Sequence, residues 1–172
     1  MKFFGAIILC FLASLAACDF RCFEDSRNSC YSEWSEENDR DYEYCDTTPN
    51  MTRCALEAAL VCHTGFAEIA EKALATEIDI CTEGTAANKA VKKDKVCSFD
   101  TWLDLKYCDV EEGTICQTFD IAQECADRIF SKCSRDTEKA FQAAYKASAE
   151  LRKKVCDLQE KIDLGLTTER GD

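Results

Sequence analysis

Between Cys22 and Cys156 the chain carries twelve cysteines, and no two of them stand in a Cys-x-x-Cys pair. No other feature constrains the fold so strongly. Cysteine at this density marks a disulfide scaffold built in an oxidising compartment. Structural zinc, the rival use of many cysteines, draws its ligands from closely spaced pairs, and those are missing. Twelve cysteines make six bridges: Cys22, Cys30, Cys45, Cys54, Cys62, Cys81, Cys97, Cys108, Cys116, Cys125, Cys133 and Cys156. They allow about ten thousand pairings, among which spacing alone does not choose.

Spacing does restrict them when the chain is helical. Cysteines eight apart on one helix lie about two turns apart and roughly 80° around the axis. Bridged Cα atoms lie within about 7 Å of each other. Cys54 and Cys62 must therefore reach other helices, and so must Cys125 and Cys133. The expected fold is an all-α, disulfide-stapled helical bundle. Short helices are marginal alone, so bridges rather than a large core should set its stability.

The intervals repeat. From Cys45 the next steps are 9, 8 and 19 residues, and from Cys116 they are 9, 8 and 23. This suggests two similar helical halves, in which the partner of Cys54 corresponds to the partner of Cys125. A second register is open: Cys30 to Trp34 with Tyr44-Cys45-Asp46 resembles Cys97 to Trp102 with Tyr107-Cys108-Asp109. The expected organisation is a leader at 1–17, a cysteine-rich half at 18–81, a connector at 82–96, a second half at 97–166 and a frayed tail at 167–172.

Helical periodicity supports the class. The only proline is Pro49, and alternating β-branched runs are missing. Phe66, Ile69, Ala70, Ala73, Leu74, Ile78 and Cys81 form an apolar stripe of helical spacing, interrupted by Glu77 and followed by Gly84. Ile115, Cys116, Phe119, Ala122, Cys125, Ile129, Phe130 and Cys133 form a second. Phe141, Ala144, Tyr145, Ser148, Leu151, Val155, Leu158 and Ile162 form a third, with Ser134 or Asp136 as N-cap and Gly165 beyond its end. Shorter helices are expected at 20–32, 36–46, 52–63 and 99–108, the last capped by Ser98.

Met1-Lys2 followed by the apolar Phe3 to Ala17 reads as a secretory signal, with Ser14-Leu15-Ala16 suited to cleavage. Leu15-Ala16-Ala17-Cys18 also fits a bacterial lipoprotein box. Nothing later is long and apolar enough to span a bilayer, so the expected localisation is secreted and extracellular. Cys18, if retained, is a thirteenth cysteine, free or linking two chains in a disulfide-bonded dimer.

Chemistry is sparse. The net charge is −12, which disfavours nucleic acid, whose phosphates need clustered Lys and Arg. The single histidine, His63, is followed by Thr64 rather than the Asp of small secreted phospholipases, and no Gly-rich calcium loop accompanies it. It reads as a surface or cap residue. No enzyme activity and no cofactor are expected. Lys89, Lys92, Lys93 and Lys95 form a basic cluster, a solvated linker or a processing site. Asn50-Met51-Thr52 is an N-glycosylation acceptor, expected in an exposed turn after Pro49. Glu33, Glu36, Glu37, Asp39, Asp41, Glu43 and Asp46 crowd residues 33–46 with Trp34, Tyr42 and Tyr44 among them. This stretch lacks the Gly and closing Glu of an EF-hand loop. The candidate interaction residues are Trp34, Glu36, Glu37, Asp39 and Asp41, facing a basic partner.

Cys18-x3-Cys22, Cys30 followed by Tyr31-Ser32-Glu33-Trp34-Ser35, the gap to Cys45, and Cys62 with Phe66-Ala67-Glu68-Ile69 give residues 18–81 a likeness. They resemble the con-ikot-ikot group of cone-snail venom polypeptides. The resemblance implies a helical, disulfide-bonded, toxin-like ligand of ionotropic glutamate receptors that forms disulfide-linked dimers. The chain departs from that group in lacking vicinal cysteines and in having a second half. In general character it is similar to cysteine-rich secreted helical proteins of invertebrates. The expected function is binding of an extracellular protein or receptor, as a venom, defence or signalling effector. The alternative is an extracellular carrier of a small apolar ligand between its helices.

Overall fold

The computed structural model describes residues 19–37, 43–108 and 119–165. Residues 1–18, among them Cys18 and the stretch expected to be a leader, lie outside them, as do Asp39, Asp41, Tyr42, Cys116 and residues 166–172. The described chain is all helical, with no strand among the described residues: α1 (Asp19–Glu37), α2 (Tyr44–Val61), α3 (Ala67–Cys81), α4 (Ala86–Lys93), a 3-10 helix (Phe99–Cys108), α5 (Phe119–Phe130) and α6 (Arg135–Asp163).

Disulfides staple these helices to one another, as the spacing argument required. Cys22–Cys62 and Cys30–Cys54 tie α1 along α2, and Cys45–Cys81 ties the start of α2 to the end of α3. Cys97–Cys133 joins the entry of the 3-10 helix to the turn after α5, and Cys108–Cys125 joins the end of that helix to α5. Cys156, on α6, is disulfide-bonded as well. None of the five described bridges crosses from the cysteines of 22–81 to those of 97–133.

The packing is less divided than the bridges. One core holds Phe20 and Phe23 of α1, Ala55, Ala58 and Ala59 of α2, Phe66 and Ala70, with Leu151 of α6. The other holds Phe130 of α5 and Phe141, Ala144 and Tyr145 of α6, joined by Tyr44 and Ile80 from α2 and α3. Trp102 lies among these rings, 4.7 Å from Tyr44 and 5.7 Å from Phe130 by centroid. Thus α6 lines one core with its first half and the other with Leu151, Val155, Leu158 and Ile162.

Several boundaries differ from the sequence expectation. The helix expected at 52–63 starts at Tyr44, and Pro49 sits buried inside it. Proline has no N–H for the carbonyl four residues back and normally breaks a helix there. Here Cys45–Cys81 and Cys30–Cys54 clamp the chain on both sides of it. The single helix expected at 36–46 is not formed, because Glu43 is extended (φ −81°, ψ 150°) and begins a new helix; residues 38–42 lie outside the described chain.

The stretch read as a connector, 82–96, contains α4. Thr85 caps it by accepting the Asn88 N–H at 3.0 Å. The buried Asn88 side chain donates to the Ile80 carbonyl at 2.9 Å and so ties α4 to the end of α3. Residues 99–108 are helical as expected, in the tighter 3-10 form, and the Ser98 hydroxyl accepts the Asp100 N–H at 3.2 Å. Of the two proposed caps for α6, the N-cap is Ser134, and Gly165 follows the helix at φ +66°.

Candidate functional site

Glu77 is the polar interruption in the α3 stripe, and it is fully buried. The stripe runs through Phe66, Ala70, Ala73 and Leu74 and continues inward at Ile80, leaving Ile78 on the outside. Helical geometry then carries Glu77 inward, because it lies three and four residues from Leu74 and Ala73. Opposite it, Ser148 of α6 donates its hydroxyl to Glu77 Oε1 at 2.6 Å. Thr52 of α2 bonds to the same carboxyl, and Arg152, one turn beyond Ser148 on α6, adds positive charge nearby. Glu77 Oε2 meets no hydrogen-bond donor among the described residues.

Burial dominates the electrostatics. It disfavours the ionised carboxyl and pushes Glu77 up to about 7, against the opposing pull of Ser148, Thr52 and Arg152. Burial also drives the Tyr44 hydroxyl upward, and the negative charge of Glu77 adds to that. Arg152 does not neutralise the carboxyl in a direct ion pair; its guanidinium lies 5.5 Å over the Tyr145 ring. The cluster therefore gathers three helices, α2, α3 and α6, around a carboxyl that changes protonation near neutral pH. Glu77 and Thr52 are buried and Ser148 and Arg152 are half-buried, so a change of charge on the carboxyl acts on the packing of these helices.

A second cluster surrounds Asp94. Its Oδ1 accepts the N–H groups of Val96 at 2.9 Å and Cys97 at 3.1 Å, and its Oδ2 accepts that of Ser134 at 2.7 Å. Desolvation pushes this carboxyl up, but those backbone donors and the Ser134 hydroxyl outweigh it and hold Asp94 well below the usual carboxylate range. Ligand atoms of Asp94, Cys97 and Cys133 come within 4.8 Å of one another. The two sulfurs are bonded to each other, so the group offers no thiolate to a metal. Asp94 is the latch between the end of α4 and the start of α6.

The residues singled out in the sequence are distributed differently. Trp34 is half-buried on α1, with its ring 6.0 Å from that of the exposed Tyr31. Glu36 and Glu37 fall in the last turn of α1, while Asp39 and Asp41 lie outside the described residues. Tyr44, grouped with them in the sequence, is a core residue against Trp102.

Asn50 is not in a turn: it lies on α2, donating to the Asp46 carbonyl at 2.6 Å and accepting from Arg53 at 2.9 Å. His63 is exposed in the left-handed region (φ 54°) just after α2. The Thr64 N–H returns to the Ala59 carbonyl at 3.4 Å, which makes the turn a helix C-cap. Lys89, Lys92, Lys93 and Lys95 are exposed on and beside α4, with Lys92 3.2 Å from Glu83.

No helix among the described residues is long and apolar enough to cross a membrane. No protein-family model, curated protein or solved structure matches this chain.

Proposed function

We propose that the protein is a secreted, non-enzymatic ligand of an extracellular macromolecule, with the end of α1 and the acidic stretch after it as the contact face. The observation that carries this reading is the bridge set. Five disulfides and a bonded Cys156 brace helices that surround two small cores. That construction suits a chain that must hold one surface in shape outside the cell. Glu77 and Tyr44, the two groups that burial pushes up, are sealed in the interior, and Asp94 is engaged by backbone donors. Tyr31 and Trp34 offer an aromatic pair at the acidic end of α1, and aromatic groups are favoured in protein interfaces. The chemistry of such a face suits a basic protein partner. The resemblance of residues 18–81 to con-ikot-ikot venom polypeptides supports a toxin-like ligand within that class.

Photo-cross-linking from position 31 of the oxidised protein, against extracellular membrane preparations, tests the reading. Capture of a protein partner that weakens at high salt is expected, because exposed charges act over about 8–10 Å at physiological ionic strength. Neutralising Glu36, Glu37, Asp39 and Asp41 together should slow association without unfolding the chain. Equal capture by that variant would remove the acidic face from the reading. An apolar ligand retained in native mass spectrometry would replace the reading with that of a carrier.

A further inference from the structure

The two sets of bridges join cysteines of the same rank. Taking six cysteines from Cys22 and six from Cys97, the first pairs with the fifth in both sets, Cys22–Cys62 and Cys97–Cys133. The second pairs with the fourth in both, Cys30–Cys54 and Cys108–Cys125.

Burial follows the same register. Ala55, Ala59, Ala70, Ala73, Leu74 and Ile80 are buried, and so are the residues 71 positions on: Ala126, Phe130, Phe141, Ala144, Tyr145 and Leu151. The outward positions match as well: Leu60, Lys72 and Ala75 are exposed, like Ser131, Ala143 and Lys146. The correspondence runs through two helices and the turn between them, α2–α3 against α5–α6.

The two units also meet through corresponding residues. Glu77 and Ser148 are counterparts in this register, and they bond to each other at 2.6 Å. Ile80 enters the core built on Phe130 and Phe141, while its counterpart Leu151 enters the core built on Ala55 and Ala70. A residue that touches its own counterpart, flanked by a reciprocal exchange of side chains, is the signature of an isologous, twofold contact.

We infer that the chain is a tandem duplication of one disulfide-braced helical unit, and that the facing surfaces of α3 and α6 are a self-association surface whose partner is the second copy of that unit. The sixth bridge follows from rank: as Cys45 pairs with Cys81, Cys116 pairs with Cys156. The axis also explains a difference between the copies. A carboxyl on a twofold axis would face a second carboxyl, and like charges in a low-dielectric seam repel strongly. Serine at 148 replaces that repulsion with a donor.

Two experiments on the full-length oxidised chain test this. Peptide mapping under non-reducing conditions should recover Cys156 linked to Cys116; a link from Cys156 to Cys18 or to any cysteine of 22–81 would overturn the assignment. The second experiment exchanges the axial pair. Ser148→Glu alone should lower the thermal midpoint at pH 8 by roughly 10 °C and recover at pH 5, where a carboxyl pair holds protons. Adding Glu77→Ser should bring the midpoint at pH 8 back to within about 3 °C of the unmodified chain, since a twofold seam accepts donor and acceptor on either side. A double variant no more stable than Ser148→Glu alone would overturn the axis, and it is informative even where the single variant does not fold.

Discussion

The core that closes α1 against α2 and the core between α5 and the first half of α6 solve one packing problem with opposite residue choices. The first has alanine at positions 55, 58, 59 and 70 and takes its bulk from Phe20, Phe23 and Phe66. The second has Phe130 and Phe141 where the first has Ala59 and Ala70, and it surrounds Trp102 with rings. Small residues let α1 lie closely along α2, an arrangement fixed by two bridges. Large ones pack their rings against Trp102 of the ten-residue 3-10 helix. Close packing is required in both. The bridges hold their Cα atoms at similar distances beside both cores, 5.7 and 5.6 Å against 5.3 and 5.6 Å, so the choice of side chains and not the bridging distinguishes the two.

Truncation should separate the two regions most sharply. Phe130→Ala removes a ring that touches Trp102, Phe141 and Tyr145, and it should cost roughly 3–5 kcal/mol in chemical denaturation. Ala59→Val, at the matching place in the first core, should also destabilise, through overpacking instead of a cavity. If Ala59→Val is neutral, the first core is looser than its alanines suggest.

Removing a bridge should act more evenly. Cys45–Cys81 and Cys97–Cys133 each span 36 residues, so loop closure assigns both about 3–4 kcal/mol. Paired substitution to alanine, followed by urea titration, should give similar losses. A loss concentrated in one of the two would mean that native packing, not loop length, decides what a bridge contributes.

Acidity should act through the seam between the cores. The folded chain holds the Glu77 proton up to about pH 7, against a usual carboxyl value of 4.5. The folded state therefore binds more protons than the unfolded state between those values, so stability falls as pH rises through that window. The contribution is complete below about 4.5 and gone above about 7, and it amounts to at most about 3 kcal/mol. Glu77→Gln should flatten the profile of midpoint against pH from 4 to 8. An unchanged profile would mean that the titrating group lies elsewhere.

The smallest effect belongs to the surface contact between α3 and α6. Lys72 lies 2.9 Å from Glu150, with the lysine side chain largely exposed and the glutamate partly so, and exposed pairs contribute little. Lys72→Ala should leave the thermal midpoint unchanged within error.

Much of this architecture was legible in the sequence. The third stripe placed α6 and its inward face residue by residue, because a long amphipathic helix leaves a strong period. Cysteine spacing required bridges between helices. The seam was not legible as a site, although its signal was present: Glu77 is a lone carboxyl in an otherwise apolar stripe. Its meaning depends on Ser148, and nothing local in a sequence brings those two helices together. Helix α4 was missed because its hold on the core comes from Asn88 and Val91, and a buried asparagine reads as a loop residue until its carbonyl acceptor is in place. The early start of α2 was missed because proline argues against helix, and tertiary clamps overrule it here. Asn50 was misplaced for the same reason.

Helix α6 has a consequence for how the molecule comes into being. Synthesis delivers Phe20 and Phe23 first and Leu151 to Ile162 long afterwards, yet these side chains share one core. The first core therefore stays incomplete on the side that α6 covers while the ribosome is still adding residues that finish the second. Contacts so distant along the chain slow folding and lengthen the interval in which apolar surface can aggregate. Cys22, Cys30, Cys45, Cys54, Cys62 and Cys81 are all synthesised within that interval, and their three bridges can hold α1, α2 and α3 in register until α6 arrives to close them.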